Sequence, residues 1–259
     1  MKIAVTGKGG VGKTFIAGTL ACQYAAAGNK TIAIDADTSP NLALTLGMTE
    51  ADLEKIIPIA ENTSIIEEKT KTDYPGVFKL VFTVDDIIKN QSVQTPCGVS
   101  LLVMGTVQSM GSGCACPANS VIRNLIGHLI TESDEVIILD MEAGIEHLGR
   151  GTAEHVDVML IVTDAHQAAL VTAERIARLA REGGIPRVAI VANRVRGEES
   201  FTRISDVASS REVPVAAVIP YDEDVLDAGV RGISPVHLDT PATRAISDLK
   251  NWIEEASIS

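Results

Sequence analysis

The chain has 259 residues, 46% hydrophobic and 3% aromatic, with a formal net charge of −12. It is long enough for one large α/β domain with a sizeable core and too apolar to be disordered. It is also too acidic to bind nucleic acid or an anionic membrane by bulk electrostatics, so neither partner is expected. No apolar run approaches the roughly 18 residues of a membrane span, and the chain starts directly on a strand with no secretory leader, so the cytoplasm is the expected location. With so few aromatics the core must be Ile, Val, Leu and Ala, which suits a parallel sheet buried on both faces.

In chain order, a short apolar strand, Lys2–Thr6, runs into GKGGVGKT at Gly7–Thr14, followed by an Ala/Leu-rich helix from Phe15 to Ala27. The octapeptide is G-x-x-x-x-G-K-[ST], the phosphate-binding loop of nucleotide hydrolases, in the strand–loop–helix context that the motif needs. Gly9, Gly10 and Gly12 let the backbone approach phosphate and turn its N–H groups inward, with Val11 and Phe15 completing the expected nucleotide-binding stretch. Lys13 offers a charge to the β- and γ-phosphates, and Thr14 a hydroxyl to Mg²⁺.

Strands and helices then alternate as in a doubly wound sheet. Thr31–Ile34 is a strand ending in Asp35-Ala36-Asp37, and Asn41–Leu46 a helical turn. Residues 48–97, with Pro58, Pro75 and Pro96, form an irregular excursion with some helix, too short for a core of its own. Val99–Met104, Glu135–Leu139, Val156–Thr163, Arg187–Ala192 and Val213–Ile219 are further strands. Asn119–Ile130, Ala165–Glu182 and Pro241–Glu255 are helices. No repeat or linker interrupts residues 1–259, so the expected architecture is a single-domain, mostly parallel sheet flanked by helices on both faces. Ligands of such sheets sit at the carboxyl ends of the strands.

The polar residues at those ends are the candidates. One of Asp35 and Asp37 can simply cap the next helix; Asp37 is favoured for catalysis, and Asp35 is left as structural or as a second shell to Mg²⁺. Asp140 ends an aliphatic strand, where a carboxylate holds Mg²⁺ directly or through water. Asp140-Met141-Glu142-Ala143-Gly144 has the D-x-x-x-G spacing of a switch whose glycine amide senses the γ-phosphate. Cys114 and Cys116 lie in GSGCACP. Two thiolates one residue apart are half of a four-coordinate site, and a second copy of the chain would supply the other half. By spacing alone, metal binding and two free thiols stand level. Cys22 reads as a core residue and Cys97 is ambiguous. All four cysteines are expected as thiols or metal ligands rather than as a disulfide framework.

GKGGxGK[ST], with its extra Lys8, resembles the deviant Walker A group of P-loop ATPases, which includes the nitrogenase iron protein and the ParA/MinD partitioning proteins. That resemblance implies ATP as cofactor, a first-switch aspartate at Asp37 that orients an attacking water, a nucleotide-dependent homodimer in which Lys8 reaches the partner's nucleotide, and adenine contacts at Asn193 and near Pro220. GSGCACPANS, DMEAGIEHLGRGTAEHVD and IPYDED further resemble the CooC-type ATPases that deliver nickel during maturation of carbon monoxide dehydrogenase and acetyl-CoA synthase complexes. It implies Ni²⁺ or Zn²⁺ on Cys114 and Cys116 at a dimer interface, and a nickel enzyme as client. Phe15 and Glu142 depart from that pattern. Glu146 and His147 read as structural residues and not as metal ligands. The alternative is a ParA/MinD-like positioning switch, for which a basic face or basic amphipathic tail is expected. An iron–sulfur electron donor is a third reading that the C-x-C spacing fits poorly.

Overall fold

Eight strands form one sheet in the computed structural model, which describes residues 1–37, 40–62, 84–105, 117–144, 148 and 152–255. They are β1 (Lys2–Gly7), β2 (Thr31–Ala36), β3 (Val93–Gln94), β4 (Ser100–Val103), β5 (Val136–Met141), β6 (Val158–Thr163), β7 (Val188–Val195) and β8 (Val215–Pro220). Their spatial order is β3-β4-β2-β5-β1-β6-β7-β8. Every ladder is parallel except β3–β4. All six residues of β1, β2, β5 and β6 are buried, as parallel strands covered on both faces must be.

The helices are α1 (Lys13–Ala26), α2 (Leu42–Thr45), α3 (Glu50–Leu53), α4 (Val84–Gln91), α5 (Pro117–Glu132), α6 (Gln167–Glu182), α7 (Gly197–Ser210), α8 (Glu223–Val230) and α9 (Pro241–Glu255). Successive strand residues face opposite sides, and the core divides accordingly. Ile3, Val5, Ala33 and Ile138 pack with Ile16 and Leu20 of α1, Leu42 of α2 and Ile246, Leu249 and Ile253 of α9. Ala4, Ile32, Ile34 and Leu139 pack with Leu125 and Leu129 of α5, Ile176 of α6 and Ile204 of α7. Among the described residues no helix is long and apolar enough to cross a membrane.

The structure changes several boundaries. β2 and β5 run past their aliphatic cores because Asp35 pairs with Asp140 and Ala36 with Met141 in the ladder, so both aspartates lie within strands. Two surface helices, α7 and α8, escaped the hydrophobic pattern. α7 carries a helical stripe at Phe201, Ile204, Val207 and Ala208, of which only Ile204 and Ala208 are buried, and in α8 only Ala228 is buried. In the irregular stretch, α3 begins with a reciprocal Thr49–Asp52 capping box.

The cysteine expectation is corrected. Cys22 of α1 and Cys97, in the turn between β3 and β4, form a disulfide with Cα atoms 5.5 Å apart. Cys22 is buried as expected, but neither sulfur is a free thiol or a metal ligand. Sequence separation hid the pair, because they stand 75 positions apart. Closing a loop of that size constrains the unfolded chain by roughly 4 kcal/mol in the chain-entropy model. In non-reducing buffer, Cys97→Ser is therefore expected to lower Tm by roughly 8–16 °C, with the difference vanishing in excess dithiothreitol when both proteins are followed by circular dichroism. Equal Tm values without reductant would show that the bond does not form in solution.

Candidate nucleotide site

β1 delivers the phosphate loop to the carboxyl edge at the point where the strand order reverses, with β5 on one side and β6 on the other. The loop is built by left-handed glycines. Gly10 has φ +84° and Gly12 φ +95°, alternation that aims backbone N–H groups into one concavity. Gly12 must be glycine on a second count, since a Cβ there would lie 2.4 Å from Asn193 Nδ2. Gly12 is also the N-cap of α1 and contributes no side-chain cap, so the first-turn N–H groups stay available to an anion. Lys8 and Gly9 sit exposed on the crest. Lys13 is 5% exposed, its Nζ 3.9 Å from Asp37 Oδ2.

Two buried carboxylates adjoin the lysine. The Asp35 carboxylate accepts from the Leu42 N–H at 2.9 Å and the Asp37 N–H at 3.2 Å. It thus shapes the turn that presents Asp37. Burial nevertheless pushes its pKa up to about 6. Asp140 is 1% exposed and neither of its oxygens has a hydrogen-bond partner of normal geometry. Burial raises it to about 7, with the nearby Thr14 hydroxyl and Lys13 pulling the other way and Asp35 adding to the rise. A buried carboxylate without a partner is costly, and beside the Thr14 hydroxyl it makes a donor set of hard oxygens that suits Mg²⁺.

On the other flank, the Thr6 hydroxyl donates to the Glu142 carbonyl at 2.7 Å and accepts from the Gly144 N–H at 3.3 Å. This ties the D-x-x-x-G segment to β1. Ile145, Glu146 and His147 lie outside the described residues, as do Cys114 and Cys116. Among the described residues no group of three or more His, Cys, Asp or Glu is arranged to hold a metal ion.

A cleft of about 550 Å³ opens beside the loop. Gly12, Phe15, Asn193 and Pro220, all expected at the nucleotide, line it together. Sequence reasoning missed Arg194, Tyr221 and Asp222 on the same wall. The Arg196 guanidinium lies 3.5 Å from the Tyr221 ring centroid, a cation–π stack that steadies the rim. Asp222 caps α8 by accepting from the Asp224 and Val225 N–H groups, and it also accepts from the Ala242 N–H of α9. The signal was legible in hindsight as Asp222-Glu223-Asp224, a cap with acidic residues in the first turn.

Residues 2–236 match the model of the CobQ/CobB/MinD/ParA nucleotide-binding domain family. The chain belongs to this family. It is an ATP-binding member of a group of ATPases. It is 42% identical over 256 residues to an uncharacterised ATP-binding protein of Methanocaldococcus jannaschii, covering 98% of this chain and 97% of that one. It is 39% identical over 245 residues to the carbon monoxide dehydrogenase accessory protein CooC of Rhodospirillum rubrum, covering 94% and 92%. The cell-division ATPase MinD of Pyrococcus furiosus superposes with TM-score 0.69 at 20% identity over 98% of both chains, a likeness of fold. The family's ATP chemistry takes Mg²⁺, and the Asp140 carboxylate beside the Thr14 hydroxyl is a donor set that fits it.

The family's metal requirement has a thermodynamic counterpart in the apo protein. A folded pKa near 7 against an ordinary 3.8 means that stability from neutral Asp140 is complete below about pH 4 and is lost as pH rises through 7. Asp140→Asn does not titrate. Without nucleotide it is expected to melt several degrees above the native protein at pH 8, the gap closing toward pH 5, as followed by calorimetry at both pH values. A gap independent of pH would show that the carboxylate is not strained by burial.

Proposed function

We propose that this ATPase is a nickel metallochaperone that matures a carbon monoxide dehydrogenase or acetyl-CoA synthase complex by nucleotide- and metal-linked dimerisation in the cytoplasm. The observation that carries the reading is 39% identity to a carbon monoxide dehydrogenase accessory protein across 94% of the chain. The Cys114-Ala115-Cys116 pair supplies a chemical reason. Thiolates suit nickel and zinc, and two per chain complete a four-coordinate site only when two chains meet.

Each residue then has a task. Lys13 holds the β- and γ-phosphates, with Gly9–Thr14 wrapping them through backbone N–H groups. Thr14 and Asp140 hold Mg²⁺, which neutralises phosphate charge when bound. Asp37, 3.9 Å from Lys13, orients water. Asn193, Phe15 and Pro220 line the cleft that takes the base. Lys8, exposed on the crest, is free to reach a facing protomer, where a cation stabilises charge on the transferring phosphoryl group. Nickel is the cargo, held between protomers by the two Cys114/Cys116 pairs. ATP binding and hydrolysis change the dimer and with it the metal site.

The decisive measurement is an anaerobic titration of the reduced apo protein with Ni²⁺, reading thiolate-to-nickel absorption and mass together. About one Ni²⁺ per two chains, with dimer formation, is expected from a four-thiolate site, and Cys114→Ala with Cys116→Ala should abolish both. Full nickel binding by the double variant would remove the C-x-C proposal. Absence of a thiolate band and of dimers would turn attention to a positioning switch. Separately, Lys8→Ala is expected to cut ATP hydrolysis by about a thousandfold, the lower end of the range for a cation supplied in trans, while each chain still binds ATP. An unchanged rate in a dimeric variant would remove the role in trans.

A further inference from the structure

The phosphate loop is held from outside by two consecutive residues. The Asn193 side-chain amide donates to the Val11 carbonyl at 2.7 Å, and the Arg194 guanidinium donates to the Gly10 carbonyl at 2.8 Å. In a regular strand neighbouring side chains point to opposite faces, so residues 193 and 194 should not reach one loop. They do so here because β7 is irregular. Its register against β8 breaks between Ala192 and Val195, and Arg194 has φ +54°. A left-handed conformation is uncommon for a residue with a side chain, and such outliers persist where the surroundings require them.

The consequence follows from peptide planarity. Within one trans peptide group the C=O of one residue and the N–H of the next point in opposite directions. Pulling the Gly10 and Val11 carbonyls outward turns the Val11 and Gly12 N–H groups inward. The Val11 N–H now makes only a long contact, 3.4 Å to the Lys8 carbonyl, which a phosphate oxygen would displace at little cost.

We propose that Arg194 is a positioning residue for ATP, its bond to the Gly10 carbonyl setting the phosphate loop in the orientation that receives phosphate. This rests on the family's nucleotide binding and not on the metal reading. Arg194 also lines the cleft, so a direct contact with nucleotide is the competing explanation, and the test separates the two. For Arg194→Ala, affinity for ATP and ADP is expected to fall about tenfold while adenosine affinity stays within twofold, measured by calorimetric titration. The tenfold ratio to the native protein should hold between 50 mM and 500 mM KCl, because a displaced loop is not screened by salt. Arg194→Gly, which relaxes the left-handed backbone, should show the same selective loss with Tm at or above the native value. Unchanged ATP affinity in both variants overturns the proposal. So does an equal loss for adenosine, and so does a ratio that collapses at high salt, which would make Arg194 a charge acting directly on phosphate. Native ATP binding is the control, so failure of the proposal is distinct from failure of nucleotide binding.

Discussion

Everything at the carboxyl edge of the sheet depends on charges that the fold buries without full compensation. Lys13, at the start of α1, and Asp35 and Asp140, paired across β2 and β5, are each at least nine-tenths hidden. Charges in such a place are tolerated when they are paired or coordinate a metal. Asp35 is satisfied by backbone N–H groups and Lys13 leans toward Asp37. Asp140 has neither. A ligand that binds only the folded state adds to stability by mass action, and in the proposed site Mg²⁺ with nucleotide would offset the cost of burying Asp140.

The remaining cost is met by the backbone. Gly10 and Gly12 adopt left-handed conformations at little expense, which gives the loop its curvature without strain. Curvature alone does not fix which way each peptide group faces. Two contacts from the β7 end, Asn193 to the Val11 carbonyl and Arg194 to the Gly10 carbonyl, hold two of those groups, and the same two residues line the cleft. In the proposed site, a substitution at Asn193 that alters base recognition would therefore disturb phosphate binding as well.

How much of this could be read from the sequence depended on whether the signal was local. GKGGVGKT, the aliphatic strands and α9 at Pro241–Glu255 were legible because adjacent residues carry them. The partnership of Asp35 and Asp140 was visible only as two strand-end carboxylates, since their pairing needs the register of β2 on β5. Arg194 was passed over because its role rests on a positive φ and a strand irregularity, neither of which has a residue signature outside Gly and Asn. α7 and α8 bury only one or two residues each, so their short stripes, Phe201, Ile204 and Ala208 in α7 among them, were passed over. The Cys22–Cys97 bond was misjudged from compartment and composition, which say nothing about which side chains a fold brings together.

Asp35 also joins the nucleotide site to the end of the neighbouring strand β4. Its carboxylate holds the turn bearing Asp37, while its main-chain carbonyl accepts from the Met104 N–H at 2.9 Å. The Met104 carbonyl in turn accepts from the Ala60 N–H at 2.9 Å. From Met104 the chain runs on through Gly105 toward Cys114 and Cys116. Coupling between distant sites needs a physical connection that both can bias. If the proposed metallochaperone couples phosphate at Asp37 to its cysteines, the hydrogen bonds of Asp35 to the Asp37 and Met104 N–H groups are a physical connection open to it.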